Sequence, residues 1–208
     1  MSGALDGAVE LLDRSLAYTR VALADVRPEL IARPTPCAGW DLGRLLAHME
    51  DALDAFTEAA AGRVEVAPLP PLESRVDALR EKACVLLGAW TGAARSGPVA
   101  VGDLGLDAPV LVATAALEIT LHGWDVSQAT GHRAPVPDDL ARGLLDVAVA
   151  VIGPGDRGPR FATPRPAGPD APYGERLVAW SGRAEAVRRT GPASPNRADP
   201  RTGEGLAS

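Results

Sequence analysis

The sequence predicts an all-α protein, and three observations carry that prediction. Apolar residues recur every three or four positions along five segments, the period of one helix face. Prolines and glycines cluster between those segments. Nowhere does a two-residue alternation, the mark of a half-buried strand, last more than a few positions.

The first helix is expected from Ala4 to Val26, with Leu5, Val9, Leu12, Leu16, Val21 and Leu23 opposite Glu10, Asp13 and Arg14. Pro28 and Arg33-Pro34-Thr35-Pro36 end it, because proline lacks an amide donor and restricts its predecessor. Asp41 is placed to cap a second helix reaching about Gly62, with Leu42, Leu45, Leu46, Met49, Leu53 and Phe56 as its stripe. Prolines at 68, 70 and 71 break the chain before a third helix, Leu72 to about Ala94. Ser96 to Asp107 reads as a loop or a short hairpin. Pro109 suits the first turn of a fourth helix ending near Gly131, and Pro137-Asp138-Asp139 opens a fifth through Ile152. The expected organisation is a helical bundle over 1–152 and a Gly/Pro-rich extension over 153–190. That extension packs on the bundle through Phe161, Tyr173, Leu177, Val178 and Trp180, with one short helix between Tyr173 and Arg183. Residues 191–208 hold almost no large apolar side chain and are expected to be a disordered tail.

Composition narrows the function. At 208 residues with 46% hydrophobic content, the chain can bury a core without disulfide or metal staples. A net charge of −6 argues against nucleic-acid or anionic-membrane partners, which need clustered positive charge. The longest apolar run, Val147 to Ile152, is far short of the ~20 residues of a membrane span. Met1 to Glu10 shows no basic apolar leader, so a cytoplasmic protein is expected. Lys82, the only lysine, reads as a solvated residue, and Cys37 and Cys84 are too few for a disulfide scaffold.

The fourth helix carries the chemistry. Glu118, His122 and Asp125 fall within about 60° of one another on the helix wheel. The helix around them is apolar on all sides, so these ionisable groups point into protein and need partners. A metal is one such partner: a Glu and a His four residues apart can share one ion, with His48 of the second helix as a third ligand. Two histidines and a carboxylate leave coordination positions open, as catalytic sites do. Zinc suits the set first; iron(II), nickel and manganese bind the same donors. A buried Glu–His ion pair explains the spacing equally well. His132, after Gly131, reads as a cation at a helix C-terminus. No neighbour in sequence marks Cys37 as a nucleophile. Arg44, one turn before His48, reads as an exposed helix-surface arginine, though it also stands where an anionic substrate would pass.

Three stretches carry a resemblance. Thr35-Pro36-Cys37-Ala38-Gly39-Trp40-Asp41, followed by Leu45-Leu46-Ala47-His48, resembles the N-terminal signature of the DinB-like superfamily, and more narrowly its mycothiol-dependent maleylpyruvate isomerase group. Glu118 to Asp125, then Ala129-Thr130-Gly131, resembles that group's second signature. The tail from Arg160-Phe161 through Arg176-Leu177 to Gly182-Arg183 is similar to its uncharacterised actinobacterial branch. The resemblance implies a four-helix bundle holding a divalent metal through His48, Glu118 and His122, with Asp125 orienting a ligand. It implies a thiol-dependent isomerase or S-transferase, using mycothiol or a similar thiol on a small electrophile. Metal-dependent hydrolysis or elimination without a thiol, and a non-catalytic metal-binding or regulatory module, stay open. A small-molecule substrate and a monomer or homodimer complete the expectation; no residue is assigned a catalytic role.

Overall fold

The apolar stripes become helices in a computed structural model that describes residues 2–61, 72–91, 98–101, 104–158 and 160–184. In chain order these form α1 (Ser2–Leu23), α2 (Leu42–Ala61), α3 (Leu72–Thr91), a hairpin of β1 (Pro98–Val101) and β2 (Leu104–Asp107), α4 (Ala108–Thr130), α5 (Asp138–Val151) and α6 (Tyr173–Trp180). Among the described residues the protein is all-α apart from that hairpin, in which Val99 stands opposite Leu106. The proline break at 68–71 and the tail at 191–208 lie outside the described residues. Among the described residues no helix is long and apolar enough to cross a membrane.

Helices α1 to α4 form the four-helix bundle. Helix α1 packs along α4 and α3, and α2 packs along α3 and α4, so α1 and α2 lie on one diagonal. Helix α4 is the central element: 18 of its 23 residues are buried. Gly123 lets α1 approach closely, since a Cβ there would stand 3.1 Å from the Thr19 Cβ and 3.2 Å from its Cα. The Thr19 hydroxyl uses that approach to donate to the Ile119 carbonyl at 2.9 Å.

Helix ends follow local chemistry. The Asp41 carboxylate caps α2 by accepting the Arg44 amide at 2.8 Å, as its position predicts. Helix α1 stops at Leu23, short of Val26, because the Ala24 and Val26 amides turn back to the carbonyls of Val21 and Leu23. Helix α6 stops at Trp180, short of Arg183. Gly182 takes a left-handed φ of 76°, its amide bonds the Ala179 carbonyl, and the Arg183 amide bonds the Val178 carbonyl. This is a Schellman ending, and it turns Arg183 off the helix axis. Helix α6 packs on α5, with Leu177 fully buried.

Lys82 is not a solvated residue. Its ammonium stands 2.9 Å from Glu50, a carboxylate of α2 with no exposed surface, and 2.6 Å from Asp54. Arg75 Nε approaches Glu50 at 3.4 Å. A buried carboxylate must be matched by charge, and a helix wheel of α3 alone does not reveal a partner on α2.

Candidate metal centre

The first signature is a loop built to hold two side chains against α4. The Thr35 hydroxyl accepts the Cys37 amide at 3.2 Å and donates to the Trp40 carbonyl at 3.0 Å. The Thr35 amide reaches the same carbonyl, and Gly39 takes a left-handed φ of 75°. Arg33 ties the loop down by donating to the Ala129 carbonyl at 3.3 Å. Cys37 and Trp40 are thereby presented to His122.

From α2, His48 places Nε2 2.9 Å from Glu118 Oε1, and His122 places its own Nε2 3.0 Å from the same oxygen. The two imidazole rings lie 5.0 Å apart and nearly perpendicular, at 83°. Three donor atoms from two helices thus face one point, with one ligand atom of each residue within 4.8 Å of the others. Trp40 sets its ring edge to His48 at 5.0 Å and stacks near His122 at 6.4 Å, and the Arg44 guanidinium covers Trp40 at 5.0 Å.

Behind His122 a second cluster fixes the ring. His122 Nδ1 donates to Asp125 Oδ2 at 3.0 Å, which directs Nε2 toward Glu118. Asp125 has no exposed surface. Arg183 grips it in a fork: Nε donates to Oδ1 at 2.9 Å, and Nη2 to Oδ2 at 2.8 Å. The Cys37 thiol donates to Asp125 Oδ2 at 3.2 Å and lies 3.9 Å from His122 Nδ1.

The electrostatics follow. Burial opposes ionisation of Glu118, but His122 and His48 outweigh it and hold the carboxyl well below the usual range. Burial likewise opposes the His122 imidazolium, and Glu118 and then Asp125 hold it well above its ordinary value. For Asp125, burial is overcome by Arg183 and His122, and its pKa falls to about 2. Cys37, His122 and Asp125 form a second possible ligand group, but the Arg183 cation already neutralises that side. The cluster without a guanidinium against it, His48, Glu118 and His122, is the one suited to a metal.

Sequence reasoning brought His48, Glu118, His122 and Asp125 forward, and the fold gathers all four. It missed Cys37, which lacks a base in sequence yet has His122 and Asp125 beside it in space. It also missed Arg183, 58 positions from Asp125. The pairing of Gly182 with Arg183 was the available signal, since a left-handed glycine ends α6 there. His132 bonds Asp25 at 2.9 Å, so a side chain is its partner in addition to any helix dipole. Arg44 is exposed as expected, with Trp40 beneath it.

Residues 12–127, more than half of the chain, match the family model described as the mycothiol maleylpyruvate isomerase N-terminal domain. The chain belongs to this family. The family has a DinB-like helical fold and is a metal-binding one, and its model spans the loop, His48, Glu118, His122 and Asp125 but not Arg183. Two uncharacterized proteins of Mycobacterium tuberculosis, from strains CDC 1551 / Oshkosh and H37Rv, are each 28% identical over 164 residues. Each alignment covers 77% of this chain and 89% of the relative. No solved structure gives a significant match.

Proposed function

We propose that this member of the maleylpyruvate isomerase N-terminal domain family is a cytoplasmic divalent-metal enzyme that uses a low-molecular-weight thiol, mycothiol or a relative, for isomerisation or S-transfer on a small electrophile. The observation that carries the reading is the convergence of His48 Nε2, His122 Nε2 and Glu118 Oε1. Two nitrogens and one carboxylate oxygen suit zinc, and also nickel, iron or manganese. A cation held by these three residues supplies Lewis acidity that lowers a thiol's pKa toward neutrality.

The chain's own groups do the rest. Asp125, held by Arg183, keeps a proton on His122 Nδ1, so Nε2 is the nitrogen that gives up its proton to ligate. Glu118 offsets charge at the centre, and the apolar surroundings strengthen every field there. Trp40 and Arg44 frame the approach beside His48, whose side chain is 37% exposed. The thiolate sulfur forms a C–S bond at the β-carbon of an enone, and the alkene electron pair moves onto the carbonyl oxygen. Rotation about the new single bond and expulsion of the thiolate restore the alkene in its other geometry. Protonation of the enolate from water instead completes a transfer. Free Cys37 and Cys84 suit a reducing compartment, and the net charge of −6 suits a small-molecule reactant rather than nucleic acid or membrane.

Elemental analysis of gently purified protein, coupled to a mass-spectrometric screen for thiol adducts, tests the reading. Bound metal together with thiol-dependent turnover supports it. Metal-dependent hydrolysis without thiol replaces it with a hydrolase, and folded protein that ignores zinc, nickel and manganese overturns it.

A further inference from the structure

The bundle is not packed solid. A cavity of about 380 Å³ lies among α1, α2, α3 and α4, and Glu118 and His122 are among the residues that line it. Its walls are Leu16, Leu23, Met49, Leu53, Leu79 and Leu87. A concave, mostly apolar space of this size that opens to solvent at one side and holds few polar groups has the form of a small-molecule site.

The polar groups inside are few, and their commitments matter. Thr19 lines the chamber, but its hydroxyl is spent on the Ile119 carbonyl. Asp13, Arg20, Arg80 and Cys84 are exposed and mark the mouth between α1 and α3. Arg80 is paired with Asp77 at 3.0 Å, so the mouth carries balanced charge and selects no ionic head. Besides Thr19, the polar-tipped lining residues that are not exposed are Glu118 and His122. His48, Trp40 and Arg44 do not line this chamber, and the His48 side chain is 37% exposed, so the donor cluster is also reached from outside it.

We infer that the chamber binds a compact, uncharged, predominantly apolar molecule whose single polar end meets Glu118 and His122. This rests on the metal reading above and gives the electrophile its class: a small apolar carbonyl compound, with the polar thiol arriving from the Trp40 side. A dicarboxylate such as maleylpyruvate would lose its water against leucine side chains, and away from the mouth it would find one cationic side chain, His122, already paired with Glu118 and Asp125.

The test is calorimetric titration of the full chain, chelator-treated and then zinc-loaded, with 2-hexanone, 2-heptanone and 2-octanone, and with maleate. The chamber predicts saturable one-site ketone binding in both preparations. Kd should fall roughly fourfold per added methylene until the space is full, and maleate should not bind. Ala83→Leu on α3 and Ala52→Leu on α2, both half-buried lining residues, each narrow the chamber from a different wall, and each should weaken 2-octanone at least tenfold with melting temperature and zinc stoichiometry unchanged. Absent ketone binding, no methylene dependence, maleate binding as tightly as 2-octanone, or parental affinity in both folded variants overturns the inference. Zinc stoichiometry is measured separately, so ketone binding by a protein that takes no metal sinks the metal reading and leaves the chamber standing.

Discussion

Replacing Arg183 by methionine removes a guanidinium from a carboxylate that has no access to water. Asp125 is 0% exposed, and the side chain of Arg183 only 9%. Breaking such a pair by deleting one partner costs about 3–5 kcal/mol, because the remaining charge is left uncompensated. For a chain of this size that is a fall in Tm of roughly 6–20 °C. The effect should reach the metal site. Without its fork, Asp125 takes up a proton or turns away, His122 loses its fixed orientation, and zinc affinity falls about 10–100-fold. Thermal denaturation reads the first effect and competition with a chromophoric chelator the second. Asp125→Asn/Arg183→Met should regain part of the stability, since no buried charge then stands alone, but not the zinc affinity. An Arg183→Met protein with parental Tm and parental zinc affinity would refute the reasoning.

Other expectations follow from the same geometry. His122→Ala should abolish stoichiometric metal, read by elemental analysis, while Asp125→Asn should retain metal with weaker affinity. The Asp125 pKa lies at about 2 against an ordinary 3.8. A depressed folded-state value means stability that is fully present above pH ~4 and is lost as pH falls through 2, amounting to about 2 kcal/mol. Urea titrations of parent and Asp125→Asn between pH 5 and 2 should show that slope in the parent and its loss in the variant. Lys82→Met should destabilise by about 1–3 kcal/mol by leaving Glu50 undercompensated; Glu50→Gln added to it should recover part of the loss. Gly123→Ala should cost about 1–3 kcal/mol in denaturant unfolding, because the new methyl forces α1 off α4 at Thr19.

The helices, their order and their breaks were legible in the chain, because hydrophobic period, proline and capping chemistry act within a few residues. Asp41 capping α2 and Pro109 opening α4 are of that kind. The buried character of α4 was legible too, since an apolar helix has nowhere else to go. Even the sharing of one face by Glu118, His122 and Asp125 is helix geometry, and the two signatures placed His48 with them.

What only the tertiary structure decided is who neutralises whom. Lys82 looked solvated until α3 was laid against α2 and Glu50 appeared beneath it. Cys37 looked inert until its loop was folded onto α4. Arg183 lies beyond the family-matched region, and its meeting with Asp125 depends on α6 ending at Gly182 and docking on α5. Charge compensation in a protein interior acts over a few ångströms of space whatever the separation along the chain, so local pattern reveals the need for a partner and only packing names it.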